Sequence, residues 1–452
     1  MLRIRLPLLI LAALAFGSVS EASNVGRHYP SEKTSYIDPV TGAKVTVLTT
    51  DSSGSAKPYQ THTTWTADGQ WIIFRSDRGG HGSQAFLVNE KTGDIVQLTD
   101  GADTSTGSLN LSRRAMKLYY MRGGPAWGPK AAETPATPRR LIELNLEPLL
   151  ADALLGKPKD AAAYERVICT LPADLADAGG FALDADESRA YWGTGPVRPA
   201  VAPPAGTPPG ERRQVDKANT NLAESREAAR QRFAERGKGP GGIRSIDLTT
   251  GEIKIVIDVD FRMGHVQTNP WVPGEIVYCH ETTGDGPQRI WTVHGDGSGN
   301  RPLYVETPDE WITHETVSAP DEVMFLIIGH LPYLRLHPTG IAVINLRTDS
   351  MKILGQIEEQ APNGGQGGFW HCNGSPDGKW AVGDTFKGNI FVIDRATGER
   401  VLLTTDHKMT PDHAHPIFSP DSQRVLIQSG HLSDGKHLDL MEVEVPVRRT
   451  GT

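Results

Sequence analysis

The chain has 452 residues, 48 of them glycine and 32 proline, with aromatic residues at only 7%, which suits a turn-rich β protein better than a helical one. That length allows one large repeat domain or two or three ordinary ones. The formal net charge is −8 with acidic and basic residues interspersed, which excludes the basic footprint of a nucleic-acid binder.

Residues 1–22 read as an export signal and residues 23–452 as the mature chain. Arg3 and Arg5 give a positive start, Leu6 to Phe16 is apolar, and small residues follow, so cleavage is expected after Ser20 or Ala22. The apolar run is too short to anchor in a bilayer, and no later stretch is long enough. The expectation is an exported protein with no membrane span, periplasmic or fully secreted.

Beyond that segment one unit recurs. Two short strand-like runs flank a turn in Trp65–Phe74, Leu111–Tyr119, Leu183–Tyr191, Trp271–Val277, Ser318–Phe325, Gly374–Val382 and Phe418–Ile427. The turn is plainest as Ser-Pro-Asp in the last two. A second signature follows most copies: a strand, a Thr-Gly turn and a β-branched strand, as in Val88–Leu98, Ile246–Ile255 and Ile393–Leu402. Glycine supplies the positive φ such a tight turn needs. Four short strands per unit of about 40–50 residues make a propeller blade. The last copy lacks its Thr-Gly hairpin, and Asp38–Leu48 near the other end supplies one. The expected fold is all-β, a seven-bladed β-propeller closed by an N-terminal strand in the last blade.

Two blades carry insertions. In blade two, about 125–160, a Pro-rich loop precedes an apolar Leu-rich segment that runs to Leu155. In blade three, about 198–240, Pro203–Gly210 precedes the charged stretch Glu211 to Arg236, which reads as an exposed helix. Each is either a surface excursion or a flap over the channel mouth. Cys169, Cys279 and Cys372 are isolated, without a CxxC. They allow one disulfide and a free thiol or three buried thiols, and read as small buried hydrophobes.

The first strand of a propeller blade lines the central channel, and six of the 15 histidines fall at or just before such strands. His62, His371 and His415 each stand six residues before a turn aspartate (Asp68, Asp377, Asp421), His413 is two residues earlier, and His314 and His265 lie in their own blades. A single histidine of this kind is more often structural than a ligand. Several converging on one axis argue for a site, although a polar channel needs polar lining in any case. Three imidazoles from neighbouring blades suit a first-row ion such as Mn, Zn or Fe. In His413-Ala-His415 the alternation of an extended strand is expected to turn both rings to one face. No GxSxG elbow and no nucleotide-binding glycine loop is present.

Met263-Gly-His-Val, Tyr278-Cys-His-Glu, Arg289-Ile-Trp, Ile312-Thr-His-Glu and Asp412-His-Ala-His-Pro-Ile-Phe-Ser-Pro together resemble the oligogalacturonate lyases, polysaccharide lyase family 22. The resemblance spans essentially the whole mature chain. It implies β-elimination on 4-linked uronates in pectin degradation, an oligouronide substrate and a divalent transition metal, Mn2+ above all. It further implies His265 as catalytic base and His314, His413 and His415 as metal ligands. The family's fourth ligand is a glutamine three residues before the first histidine of the HxH; here that place is Thr410. Water, His371 or Asp412 are left as candidates to fill it. Arg244 is the candidate for the uronate-holding arginine with Arg289 in reserve, and Arg289, His371 and His62 are the expected substrate contacts. A lyase on another uronate, or a non-catalytic periplasmic binding propeller, are the alternatives, and the oligomeric state is open.

Overall fold

The structure is a computed structural model that describes residues 23–124, 137–197, 226–282, 288–307, 310–328, 339–357 and 368–446. The segment read as an export signal, most of the Pro-rich loop of blade two and the proline-rich start of the blade-three insertion lie outside these residues.

Seven antiparallel sheets follow in chain order. The innermost strands of blades two to seven are Thr104–Leu111, Leu175–Leu183, Met263–Thr268, Ile312–Ala319, Phe369–Gly374 and Ile417–Phe418. In blade one the inner position is held by a looser stretch that touches the sheet through the bridges Ala56–Arg75 and Trp65–Ile72. The recurrent turns are built from their own side chains. Ser375 and Ser419 donate to Asp377 and Asp421 at 2.7 and 2.6 Å and accept the N–H groups of Trp380 and Arg424. In the Thr-Gly hairpins the leading Asp or Asn accepts two N–H groups of its own turn, and the glycine takes φ +79°, +76° and +76° at Gly93, Gly251 and Gly398. A side chain other than glycine is strained there.

Each blade buries one face against the next. Seven apolar clusters lie between successive blades, and the last joins blade seven to blade one through Leu48, Trp65, Phe74, Leu426 and Leu440. That cluster and the strand pairing close the ring. Lys44–Val47 pairs with Asp439–Glu444, and Thr34–Ile37 adds a fifth strand outside it. His28–Tyr29 pairs with Ile95–Gln97 at the outer edge of blade one. The N-terminal chain thus finishes two blades, one more than the sequence pattern indicates. Asp38 ties the closing hairpin to blade six: its carboxylate accepts the N–H groups of Val40, Thr41 and Thr405 and the Thr404 hydroxyl.

The Leu-rich segment of blade two is the helix Leu146–Leu154, which buries Leu146, Leu149, Leu150 and Ala153 in the cluster between blades one and two. It joins the third and fourth strands of its blade, at the end opposite the channel mouth where the inner strands begin. It is therefore a packing element and not a flap. The charged stretch of blade three is helical over Arg226–Arg236, with Phe233 buried. Among the described residues no helix is long and apolar enough to cross a membrane. All three cysteines are free thiols, Cys279 and Cys372 buried and Cys169 half-buried.

Two outcomes test the closure. Leu48→Ala is expected to cost about 2–5 kcal/mol in denaturant unfolding, the range for a truncated core leucine. Burial alone raises the Asp38 carboxyl, but its hydrogen bonds outweigh burial and hold it well below the usual range. A depressed folded-state value gives stability that is present above the unfolded value, about 3.9, and is lost as pH falls towards the folded one. Asp38→Asn should therefore be less stable than the wild type at neutral pH, with the gap narrowing below about pH 4.

Candidate active site

Three of the six histidines sit where the backbone leaves the regular strand. His265, His314 and His415 have φ of +47°, +57° and +46°. Residues other than glycine rarely occupy this region, and held there they concentrate at functional sites. His265 lies in a bulge between Gly264 and Gln267, and His314 in one between Thr313 and Thr316. An inserted residue re-aims a side chain out of the strand's alternation, here towards the ring axis. His413 and His415 precede the two-residue strand Ile417–Phe418, so the kink at His415, and not pleat alternation, leaves their rings 6.2 Å apart.

The structure gathers four imidazoles. His371 is in their midst, with ring centroids 4.2 Å from His314, 4.0 Å from His415 and 5.3 Å from His413. Trp370 walls the group against His314 and His413 at 4.8 and 5.4 Å. His371 is 2% exposed and its Nδ1 lies 3.1 Å from Asp384 Oδ2. It is not a substrate contact, since no sugar reaches it. Burial pushes His314 and His415 well below the usual imidazole range, helped by the neighbouring His371, so both are neutral at physiological pH. Burial lifts the Asp384 carboxyl to about 6, against the pull of His413 and three backbone N–H groups.

Tyr59, which the sequence reading did not single out, joins this group to His265. Its hydroxyl shares a 2.8 Å hydrogen bond with His314 Nδ1, and its ring centroid lies 5.2 Å from both His265 and His415. His265 Nδ1 is 3.1 Å from Glu315 Oε1, and its Nε2 is 3.9 Å from Glu281 Oε2. Burial raises the Glu315 carboxyl, yet the charges of His265 and Arg289 outweigh it and hold Glu315 below the usual range. Arg289 is itself buried, 3.6 Å from Glu281 and 3.7 Å from Glu315, so it neutralises carboxylates and does not face a substrate.

The other expected residues fall elsewhere. Arg244 lies on the third strand of blade three, bonded to the Ile257 carbonyl and paired with Asp258 at 2.7 Å, and it does not join the cluster. His62 turns towards blade three, its Nε2 3.2 Å from the Phe181 carbonyl and its Nδ1 at the Thr61 hydroxyl. The arginines placed at the site are Arg139 and Arg262. They line a cleft of about 1530 Å³ between blades two and four that also reaches Asp177, Glu281 and His265.

Two side-chain groups here bear on metal binding. His265, Cys279 and Glu315 bring one ligand atom each within 4.8 Å of one another. Burial pushes the Cys279 thiol well above its usual value, and Arg289 already balances Glu315, so this set is a poor cation site. The four imidazoles offer a donor set of the right chemistry: His371 and His415 are buried and His314 and His413 half-buried, burial keeps His314 and His415 neutral, and Asp384 and Tyr59 hold a ring nitrogen of His371 and of His314.

No family model matches the chain. It is 25% identical over 214 residues to the oligogalacturonide lyase of Pectobacterium atrosepticum, a match covering 42% of this chain and 52% of that relative. The match thus spans about half of the relative's length. A solved oligogalacturonate lyase in complex with manganese superposes with a TM-score of 0.68 at 20% identity, covering 93% of this chain and 98% of the other. The oligogalacturonate lyase of Vibrio parahaemolyticus superposes equally well, TM-score 0.68 at 19% identity with the same coverage. These superpositions establish a shared seven-bladed propeller.

Arg289→Ala removes the buried guanidinium beside Glu281 and Glu315 and is expected to cost about 3–5 kcal/mol in chemical denaturation. Adding Glu315→Gln should restore part of that loss.

Proposed function

We propose that the chain is a lyase that cleaves short 4-linked uronate oligomers, oligogalacturonate above all, by β-elimination. Its cofactor in this proposal is a divalent transition ion, Mn2+ by preference, bound by His314, His413 and His415. Tyr59 carries the reading. It touches the candidate base His265, which lines the cleft, and the imidazole group at once, so the base and the ion-binding rings stand on either side of one phenol ring. The likeness to oligogalacturonate lyases in fold, and along part of the sequence, points the same way.

The C5 hydrogen of a uronate lies α to its carboxylate and is too weakly acidic for a free imidazole. When bound, the ion supplies Lewis acidity that neutralises the carboxylate and stabilises the charge developing beside it. Arg139 and Arg262 on the cleft wall are the guanidinium groups available to the substrate's carboxylates, which arginine grips bidentately. Glu315 accepts from His265 Nδ1–H, fixing the tautomer in which Nε2 is the base. The C5 proton passes to His265 and the C5–H electron pair becomes the C4–C5 double bond. The C4–O bond breaks, and the departing sugar oxygen takes up a proton. The chain's negative net charge is no obstacle, because charges beyond about 10 Å are screened at 0.1 M salt.

Incubating the Mn2+-loaded protein with galacturonate, alginate and glucuronan oligomers tests the assignment. Unsaturated product, read by ultraviolet absorbance, is expected from the galacturonate series, and His265→Ala should lower kcat by roughly 10²–10⁴-fold. Turnover confined to another series reassigns the substrate. If no uronide is cleaved, the lyase reading is wrong and a binding propeller takes its place. Export through residues 1–22 belongs to the same proposal; N-terminal sequencing of protein from a periplasmic extract is expected to begin after Ser20 or Ala22.

A further inference from the structure

We infer that His371 is a fourth ligand of the ion held by His314, His413 and His415, occupying the place that Thr410 leaves without a donor. This rests on the metal-dependent reading above and goes beyond its three-histidine set.

Spacing is the first ground. A metal–imidazole bond of about 2.1 Å places the ring centroid roughly 3.3 Å from the ion, so imidazoles sharing one ion have centroids about 4.6 Å apart at right angles and no more than about 6.6 Å apart in line. The His371–His413 and His413–His415 separations of 5.3 and 6.2 Å fall within this range, and those of His371 from His314 and His415, 4.2 and 4.0 Å, are a few tenths of an ångström shorter than the right-angle value. No three of these histidines yet bring ring nitrogens within 4.8 Å of one another, so binding requires side-chain rotation.

The outer shell is the second. Asp384, with no exposed side-chain surface, lies 3.2 and 3.1 Å from His371 Nδ1 through its two oxygens and accepts the His371 backbone N–H at 2.6 Å. Its second oxygen also accepts the His415 N–H at 3.3 Å. A carboxylate behind one ring nitrogen is the arrangement that fixes the tautomer of a ligating histidine and leaves Nε2 for the metal. Nothing about a propeller blade requires a buried imidazole–carboxylate pair at this point, and a sugar cannot reach it.

The rivals are otherwise engaged. Thr410 packs against the turn Gly430–Gly435: a Cβ at Gly435 would lie 2.5 Å from its hydroxyl oxygen, and one at Gly430 2.6 Å from its carbonyl. Asp412 accepts the His413 N–H at 2.9 Å through one oxygen, which also lies 3.9 Å from His415 Nε2, and is 3.3 Å from the Gln428 amide through the other.

Mn2+ titration of the metal-stripped full-length chain, followed by calorimetry and by the EPR signal of free Mn2+, separates these possibilities. The wild type is expected to take up one ion per chain. His371→Ala and His413→Ala should each weaken binding by about 100-fold or more, and Asp384→Asn by about 10–100-fold, the range for an outer-shell partner. Asp412→Asn should bind as the wild type does. Pulsed EPR on the Mn2+-loaded wild type counts bound imidazole nitrogens directly, so the inference does not depend on any variant folding. Four coupled nitrogens are expected. Three coupled nitrogens, or tight binding by His371→Ala where His413→Ala has lost it, overturn the inference and leave the three-histidine site standing. A wild-type chain that takes up no Mn2+ overturns both.

Discussion

A propeller holds its channel only while its first and last blades are stitched together, and here the stitch is the hairpin Thr34–Val47. Val45 pairs with Val443, Val47 with Met441, and Leu48 is buried in the seam between blades seven and one. The site draws on five blades: Tyr59 comes from the first, His265 from the fourth, His314 from the fifth, His371 from the sixth, and His413 and His415 from the seventh. Their convergence has no local cause. It follows from the ring being shut, because an open arc of sheets would spread the inner strand ends apart.

The ring brings these groups to the axis, and the strand irregularities then aim them. Bulges at His265 and His314 and the kink at His415 turn these rings out of the strand alternation. Burial there acts in two directions. It keeps His314 and His415 neutral, the state in which an imidazole offers a lone pair. It also makes each buried charge costly unless matched, so Glu315 is set between His265 and Arg289. The result is two electrostatically distinct halves that meet at Tyr59: a charged side around His265 and a nitrogen-rich side around His371.

What could be read along the chain depended on how local its cause is. The Ser-Pro-Asp and Thr-Gly turns are made by contacts within a few residues, so the blade count and the displaced hairpin were legible. The histidines were legible as residues at inner-strand positions, but their neighbours were not. Glu315 stands beside a histidine that drew attention, yet its partner is His265, 50 residues away. Tyr59 reads as an ordinary aromatic before a strand, and its partner is 255 residues away. Arg244, which the resemblance offers as the uronate-holding arginine, lies on the third strand of the preceding blade, away from the histidines. Arg262, next to the Gly-His segment, is the one that reaches the cleft.

Tyr59 sits just past the closing hairpin, on the loosest inner segment of the ring, held by two isolated bridges in place of a full strand. The segment that follows the closing hairpin is thus also the piece that links the two halves of the site. Closure and the gathering of these side chains are bound together: a chain that has formed most of its sheets but not joined its ends does not bring His265 and the imidazoles to one place. Damage to the hairpin would then silence the protein from a distance, without touching a histidine.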